Sequence, residues 1–249
     1  MKPTIVFAPG AWHQPSCFDL IRQALHRRGY TTDAVSYPSV GYQTDKTLSD
    51  DTIALRRVLE KAVNTGGEVV LVLHSYGGTV GSNAVAGLGI HERARQGKDG
   101  GVIMVVYMTA FAIPKGKSLR DVSIGSSWVK YEAGTSYPLS PAEVLYHDLP
   151  VEEQRKAISN LKPSAASVFS SPVTYEPWNH IPCMFLFCDA DKAIKLETQM
   201  AMAANLGENA IFFHCSGSHS AFISVPEEVM EGIEIAATVG KQRMSMSMI

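Results

Sequence analysis

Ser75 stands where the apolar run Val69-Val70-Leu71-Val72-Leu73 ends, after His74 and before Tyr76, Gly77 and Gly78. A serine hydroxyl becomes a nucleophile when a neighbouring base takes its proton and an acid orients that base. Candidates for both lie further along the chain. Asp189-Ala190-Asp191 directly follows the apolar run Cys183–Cys188, and His219 lies in the loop Ser216-Gly217-Ser218-His219-Ser220 after the run Ala210–His214. Spacing alone does not choose between Asp189 and Asp191. Among the eight histidines, His214 falls within a strand pattern, His74 reads as structural and the others have weaker claims, so His219, in a Gly-Ser loop shortly before a helix, is the expected base. The chemistry implied is acyl transfer through a covalent serine intermediate.

These residues need particular elements to bring them together. A buried strand that turns sharply into a helix exposes the serine and presents the next backbone N–H, that of Tyr76, to a developing oxyanion. The full form of this turn has a small residue two before and two after the serine. Gly77 meets the second condition, whereas Leu73 does not meet the first. A second oxyanion donor is expected from the turn Pro9-Gly10-Ala11-Trp12-His13 after the first apolar run, at Ala11, with Trp12 and His13 bordering the substrate pocket. Loops beyond the carboxyl ends of parallel strands share one face of a sheet, so Ser75, the aspartate and His219 can converge despite their separation in sequence.

The remaining pattern supplies such a sheet. Thr4–Ala8, Asp33–Tyr37, Val69–Leu73, Val102–Met108, Cys183–Cys188 and Ala210–His214 read as strands. Amphipathic stretches between and after them (18–27, 47–64, 78–91, 198–206 and 227–237) read as helices. Alternation of this kind implies an α/β fold: a mainly parallel sheet of about six strands with helices on both faces. At 249 residues and 45% hydrophobic content the chain is expected to form a single domain over 1–249. About seventy residues after Met108 lack a buried-strand run and are rich in proline and aromatics. They are expected to form an inserted helical cap, over 112–180, with helices at 141–146 and 152–161. Trp128 and Trp178 in this segment are candidates for lining an apolar pocket.

Composition narrows the partners. A formal charge of −2 without a basic run argues against nucleic acid and against an anionic membrane surface. The apolar stretch Thr4–Ala8 is too short for a signal-peptide core, and no apolar run approaches a membrane span. Cys17, Cys183, Cys188 and Cys215 lie in or beside apolar segments without metal-ligand spacing, so free thiols in a reducing, cytoplasmic setting are expected. The partner is then a small-molecule ester, lactone or acyl compound, with no cofactor and no metal, and the helix patterns are compatible with a homodimer. The end of the chain, Met-Ser-Met-Ser-Met-Ile, has no cap and is expected to be a loosely held tail.

Five segments carry a resemblance over nearly the whole length: Gly10-Ala11-Trp12-His13, His74-Ser75-Tyr76-Gly77-Gly78, Val106-Tyr107-Met108-Thr109-Ala110-Phe111, Cys188-Asp189-Ala190-Asp191-Lys192-Ala193-Ile194 and Gly217-Ser218-His219-Ser220-Ala221-Phe222-Ile223-Ser224. With these the chain resembles the α/β-hydrolase superfamily, in its small group of plant methyl esterases, hydroxynitrile lyases and fungal or bacterial esterase-like proteins. The resemblance implies that Asp191, which precedes the Lys-Ala-Ile sequence, is the acid, and that the backbones of Ala11 and Tyr76 form the oxyanion hole. Pro9 stands where the family usually has histidine, and Leu73 where it usually has glycine. Hydroxynitrile lyases of the group place lysine after the catalytic histidine, where this chain has Ser220. The expected function is therefore a serine hydrolase cleaving a carboxylic ester or lactone of a small, partly apolar molecule. The alternatives are a lactonising or cyclising acyl-serine enzyme of polyketide-like secondary metabolism, a hydroxynitrile-lyase-like enzyme, and a non-catalytic ligand receptor on the same fold.

Overall fold

A computed structural model of the chain describes residues 1–122 and 127–246. Its strands are β1 (Thr4–Ala8), β2 (Thr32–Ala34), β3 (Glu68–His74), β4 (Gly101–Met108), β5 (Val129–Glu132), β6 (Thr135–Pro138), β7 (Ser164–Ala165), β8 (Cys183–Cys188) and β9 (Ile211–Cys215). Six of them form one parallel sheet in the order β2-β1-β3-β4-β8-β9.

Side chains alternate across this sheet with a period of two. Val69, Leu71 and Leu73 of β3 face one apolar layer, together with Val6 and Ala8 of β1 and with Leu55, Leu59 and Val63 of helix α2 (Leu48–Val63). Val70 and Val72 face the other, together with Ile5 and Phe7, Ile21 and Leu25, and Val229 and Ile233. Ile21 and Leu25 belong to helix α1 (Asp19–Arg27), and Val229 and Ile233 to the final helix Pro226–Met246. Burial on both faces explains why β3 and β4 read as continuous apolar runs. Helix α2 begins where expected because Asp50 turns back to accept the Thr47 N–H at 2.9 Å.

Three expectations need correction. The stretch expected as one helix over 78–91 is broken: helix α3 (Gly77–Ala84) ends, Gly87 adopts φ +73°, and a short helix restarts at Ile90–Ala94. The tail is not loose through its first half, since the final helix continues to Met246; residues 247–249 lie outside the described residues. The segment between β4 and β8 is not purely helical either. Besides the helices Pro141–Val144 and Val151–Ser159 it holds an antiparallel sheet, β5-β6-β7. Val129-Lys130-Tyr131-Glu132 is largely exposed, so it shows no buried-strand run. Its turn, Ala133-Gly134, has φ of +47° and +79°, the double left-handed conformation of a tight hairpin. Among the described residues no helix is long and apolar enough to cross a membrane.

Candidate active site

Ser75 follows β3 directly and adopts φ +53°, a left-handed conformation that costs energy for a non-glycine residue and recurs where a side chain must be presented at a site. The turn closes because Gly77 has no side chain: a Cβ there would lie 2.4 Å from the Ala8 carbonyl oxygen. The Ser75 carbonyl accepts the N–H groups of Gly78 at 2.9 Å and Phe111 at 3.1 Å, which fixes the turn from both sides. Leu73, the bulky exception in the motif, fits because of a glycine elsewhere. A Cβ on Gly81 would lie 2.1 Å from Leu73 Cδ2, so the space normally left by a small residue before the serine is supplied here by the helix after it.

Beyond β8 and β9 the structure brings His219 and Asp191 together, both buried. His219 Nδ1 lies 2.7 Å from Asp191 Oδ2. A carboxylate only accepts, so Nδ1 carries the hydrogen and Nε2 is left as the proton acceptor. Asp191 Oδ1 accepts the N–H groups of Ala193 at 2.7 Å and Ile194 at 2.9 Å, and Oδ2 also accepts the Thr109 hydroxyl. Asp189 points elsewhere. It pairs at 2.7 Å with His214, and both of these side chains are about half exposed.

The turn after β1 abuts the serine, since a Cβ on Gly10 would sit 3.0 Å from Ser75 Cβ. Ala11 and Tyr76 line one cavity of about 880 Å³ together with Ser75, Trp12 and Trp128. Trp12 N–H donates to Ser164 Oγ and His13 N–H to the Gly10 carbonyl, whereas the Ala11 and Tyr76 amides find no acceptor among the described residues. Two residues with unpaired amides therefore line the same cavity as Ser75, and such amides can hold a tetrahedral oxyanion.

Two expected pocket residues lie outside this cavity. His13 is buried, with Nδ1–H donating to the Ala11 carbonyl at 2.8 Å and Nε2 accepting the Tyr146 hydroxyl at 2.9 Å. Burial lowers its pKa to about 4, so it is a neutral strut of the turn rather than a pocket wall. Trp178 packs against Tyr107 and borders a separate pocket of about 420 Å³ near the start of β8. Trp12 and Trp128 do border the cavity, with ring centroids 5.7 Å apart.

Sequence reasoning passed over two supporting residues, Thr109 and Asp51, and read a third, His74, as structural without giving it a partner. Thr109, φ +39°, sits at the end of β4 and donates to Asp191. Asp51 is buried on α2 and accepts the Tyr76 hydroxyl at 2.7 Å together with the Ser39 N–H and hydroxyl, anchoring the residue whose amide faces the cavity. His74 Nε2–H donates to the His219 carbonyl at 2.9 Å. Burial holds His74 neutral. Local pattern could have flagged only Thr109, at the end of an all-apolar strand; Asp51 reads as an ordinary helix acid until its surroundings are known.

Comparison with known proteins agrees with the fold. A sequence profile of the alpha/beta hydrolase family matches residues 5–231. Alpha/beta hydrolase nvfD of Aspergillus novofumigatus is 32% identical over 245 residues, covering 95% of this chain and 97% of the relative. A probable hydrolase, R7, of a Phoma species is 27% identical, covering 80% and 81%. In three dimensions the chain is similar to a pyrethroid hydrolase from Sphingobium faniae, with a TM-score of 0.78 at 19% identity, covering 95% and 97%.

Proposed function

The chain belongs to the alpha/beta hydrolase family, and on that premise we propose that it cleaves a carboxylic ester or lactone of a small, partly apolar molecule through an acyl-serine. The observation that carries the reading is the buried His219–Asp191 pair on the same rim of the sheet as the strained Ser75. In this mechanism Ser75 Oγ attacks the carbonyl carbon as its proton passes to His219 Nε2. The Ala11 and Tyr76 amides hold the oxyanion, and Asp191 steadies the imidazolium. Collapse of the tetrahedral intermediate breaks the ester bond, and the leaving alkoxide takes the proton from His219. Water then repeats the sequence on the acyl-serine and releases the acid. A cytoplasmic location is part of the same proposal, supported by the four free thiols.

The test is labelling with a fluorophosphonate probe, wild type against Ser75→Ala, followed by peptide mass spectrometry and a screen of aryl esters and lactones. Labelling at Ser75 alone, with turnover lost in the variant, is the expected result. Folded wild-type protein that neither labels nor turns over any ester would move the protein to the receptor class.

A further inference from the structure

The charge around the cavity is lopsided. The chain has 24 acidic and 22 basic residues, yet among the described residues that line the Ser75 cavity there are three cationic side chains, Arg120, Lys192 and Lys195, and no carboxylate. Lys192 is already neutralised by Glu143, 2.5 Å away. Arg120 lies over the Tyr131 ring, 5.1 Å from its centroid, which pins the guanidinium against the apolar wall. Lys195 has no acidic partner among the described residues and immediately precedes helix Leu196–Ala203, whose N-terminal dipole adds to the same positive potential. The acids nearby do not line the cavity: Glu132 pairs with Lys130, Asp121 accepts the Ser118 N–H and hydroxyl, which favour its ionised form, and Glu197 stands in the first turn of the helix Leu196–Ala203.

Two exposed cations therefore line a cavity that Trp12, Phe111, Trp128, Phe169 and Ile194 also line. Building on the hydrolase reading, we propose that the natural ester carries a free carboxylate at a distance from the scissile bond. Lys195 and Arg120 hold this carboxylate at the mouth while the apolar body fills the cavity. The substrate class is thus an amphiphilic acid-ester, such as a monoester of an apolar dicarboxylic acid, rather than a neutral ester. A carboxylate suits this pair because Arg120 offers a planar fork and Lys195 a point charge.

A matched pair of substrates tests the idea: the 4-nitrophenyl monoester of octanedioic acid, and its methyl-capped twin, which lacks the charge and differs otherwise by a single methyl group. Exposed ion pairs are each worth about a two- to fivefold change, so the acid should exceed the twin in kcat/KM by about tenfold at low salt and by less in 0.5 M sodium chloride. The double variant Lys195→Gln, Arg120→Gln should bring that ratio to within about twofold, whereas Lys156→Gln, which removes an exposed cation away from the cavity, should preserve it. Equal rates for the two esters in wild type, or a ratio the double variant leaves intact, would overturn the proposal. Calorimetry on Ser75→Ala with the same two 4-nitrophenyl esters separates it from the hydrolase reading. Tighter binding of the acid that the double variant abolishes, in a protein that turns over no ester, would uphold the anion site and refute only hydrolysis. Equal binding of both refutes the anion site whatever the turnover.

Discussion

Asp189 and Asp191 are two residues apart on one loop, yet one is a half-exposed partner of His214 and the other is buried against His219. The difference lies in what the two loops offer them. Asp191 meets a ring nitrogen, two backbone amides and the Thr109 hydroxyl, four donors that satisfy a carboxylate away from water. Under the proposed mechanism Asp191→Asn should lower kcat by about 10³- to 10⁴-fold, because an amide no longer fixes the imidazole tautomer. Asp189→Asn should leave kcat within about twofold, as expected of an exposed pair. Steady-state kinetics of both variants on one aryl ester would decide the matter, and comparable losses would mean that the acid is misassigned. Ser75 and His219 were legible from strand-then-loop position. For the acid, spacing treats both aspartates alike, and Asp191 was singled out only through the family resemblance; their different neighbours appear only in the structure.

The strand-to-helix turn after β3 shows how elements trade space. Leu73 breaks the usual small-residue pattern, and Gly81, one turn into α3, accommodates it. Gly81→Ala should therefore destabilise the protein by about 2 kcal/mol or more through overpacking, and the same change made on a Leu73→Ala background should cost much less. Urea denaturation of the four proteins gives the coupling; strict additivity would show that the two sites do not share this space. The six parallel strands were readable from apolar, β-branched runs, with every boundary within one residue of the expected one except the end of β2, which stops at Ala34 instead of Tyr37. The β5-β6 hairpin was not, since its exposed strand carries Lys130 and Glu132 and its turn uses Ala-Gly instead of a stronger signal.

Across the molecule, buried neutral histidines tie stability to pH. His13 has its pKa lowered to about 4, while the unfolded chain takes up that proton near 6.5. Between those values the unfolded state binds more protons, so stability falls as pH drops through this window and is fully present above it. His74 is shifted in the same direction, also by burial; Asp51, whose pKa burial raises, acts in the opposite sense near the acid end. From His13 alone the loss between pH 7 and pH 5 is about 2 kcal/mol. Urea unfolding at the two pH values should show at least this drop in wild type and a smaller one in His13→Gln. An unchanged drop would mean that His13 takes up its proton without unfolding.

Periodicity and the order of polar residues after apolar runs were enough to specify a parallel sheet, the serine elbow and the histidine loop, because burial on two faces and a strand-to-loop exit leave local signatures in the chain. Folding was needed for everything that depends on partners far apart in sequence. Asp191 is separated from Asp189 by its neighbours from β4 and the β9 loop, and His13 is a strut because Tyr146 reaches it from 133 residues away. Trp178 was drawn from the cavity to the opposite end of β8, and Leu73 became tolerable through Gly81. A side chain's role in such cases is set by the groups that desolvate it and satisfy its hydrogen bonds, and those groups become neighbours only when the sheet has assembled.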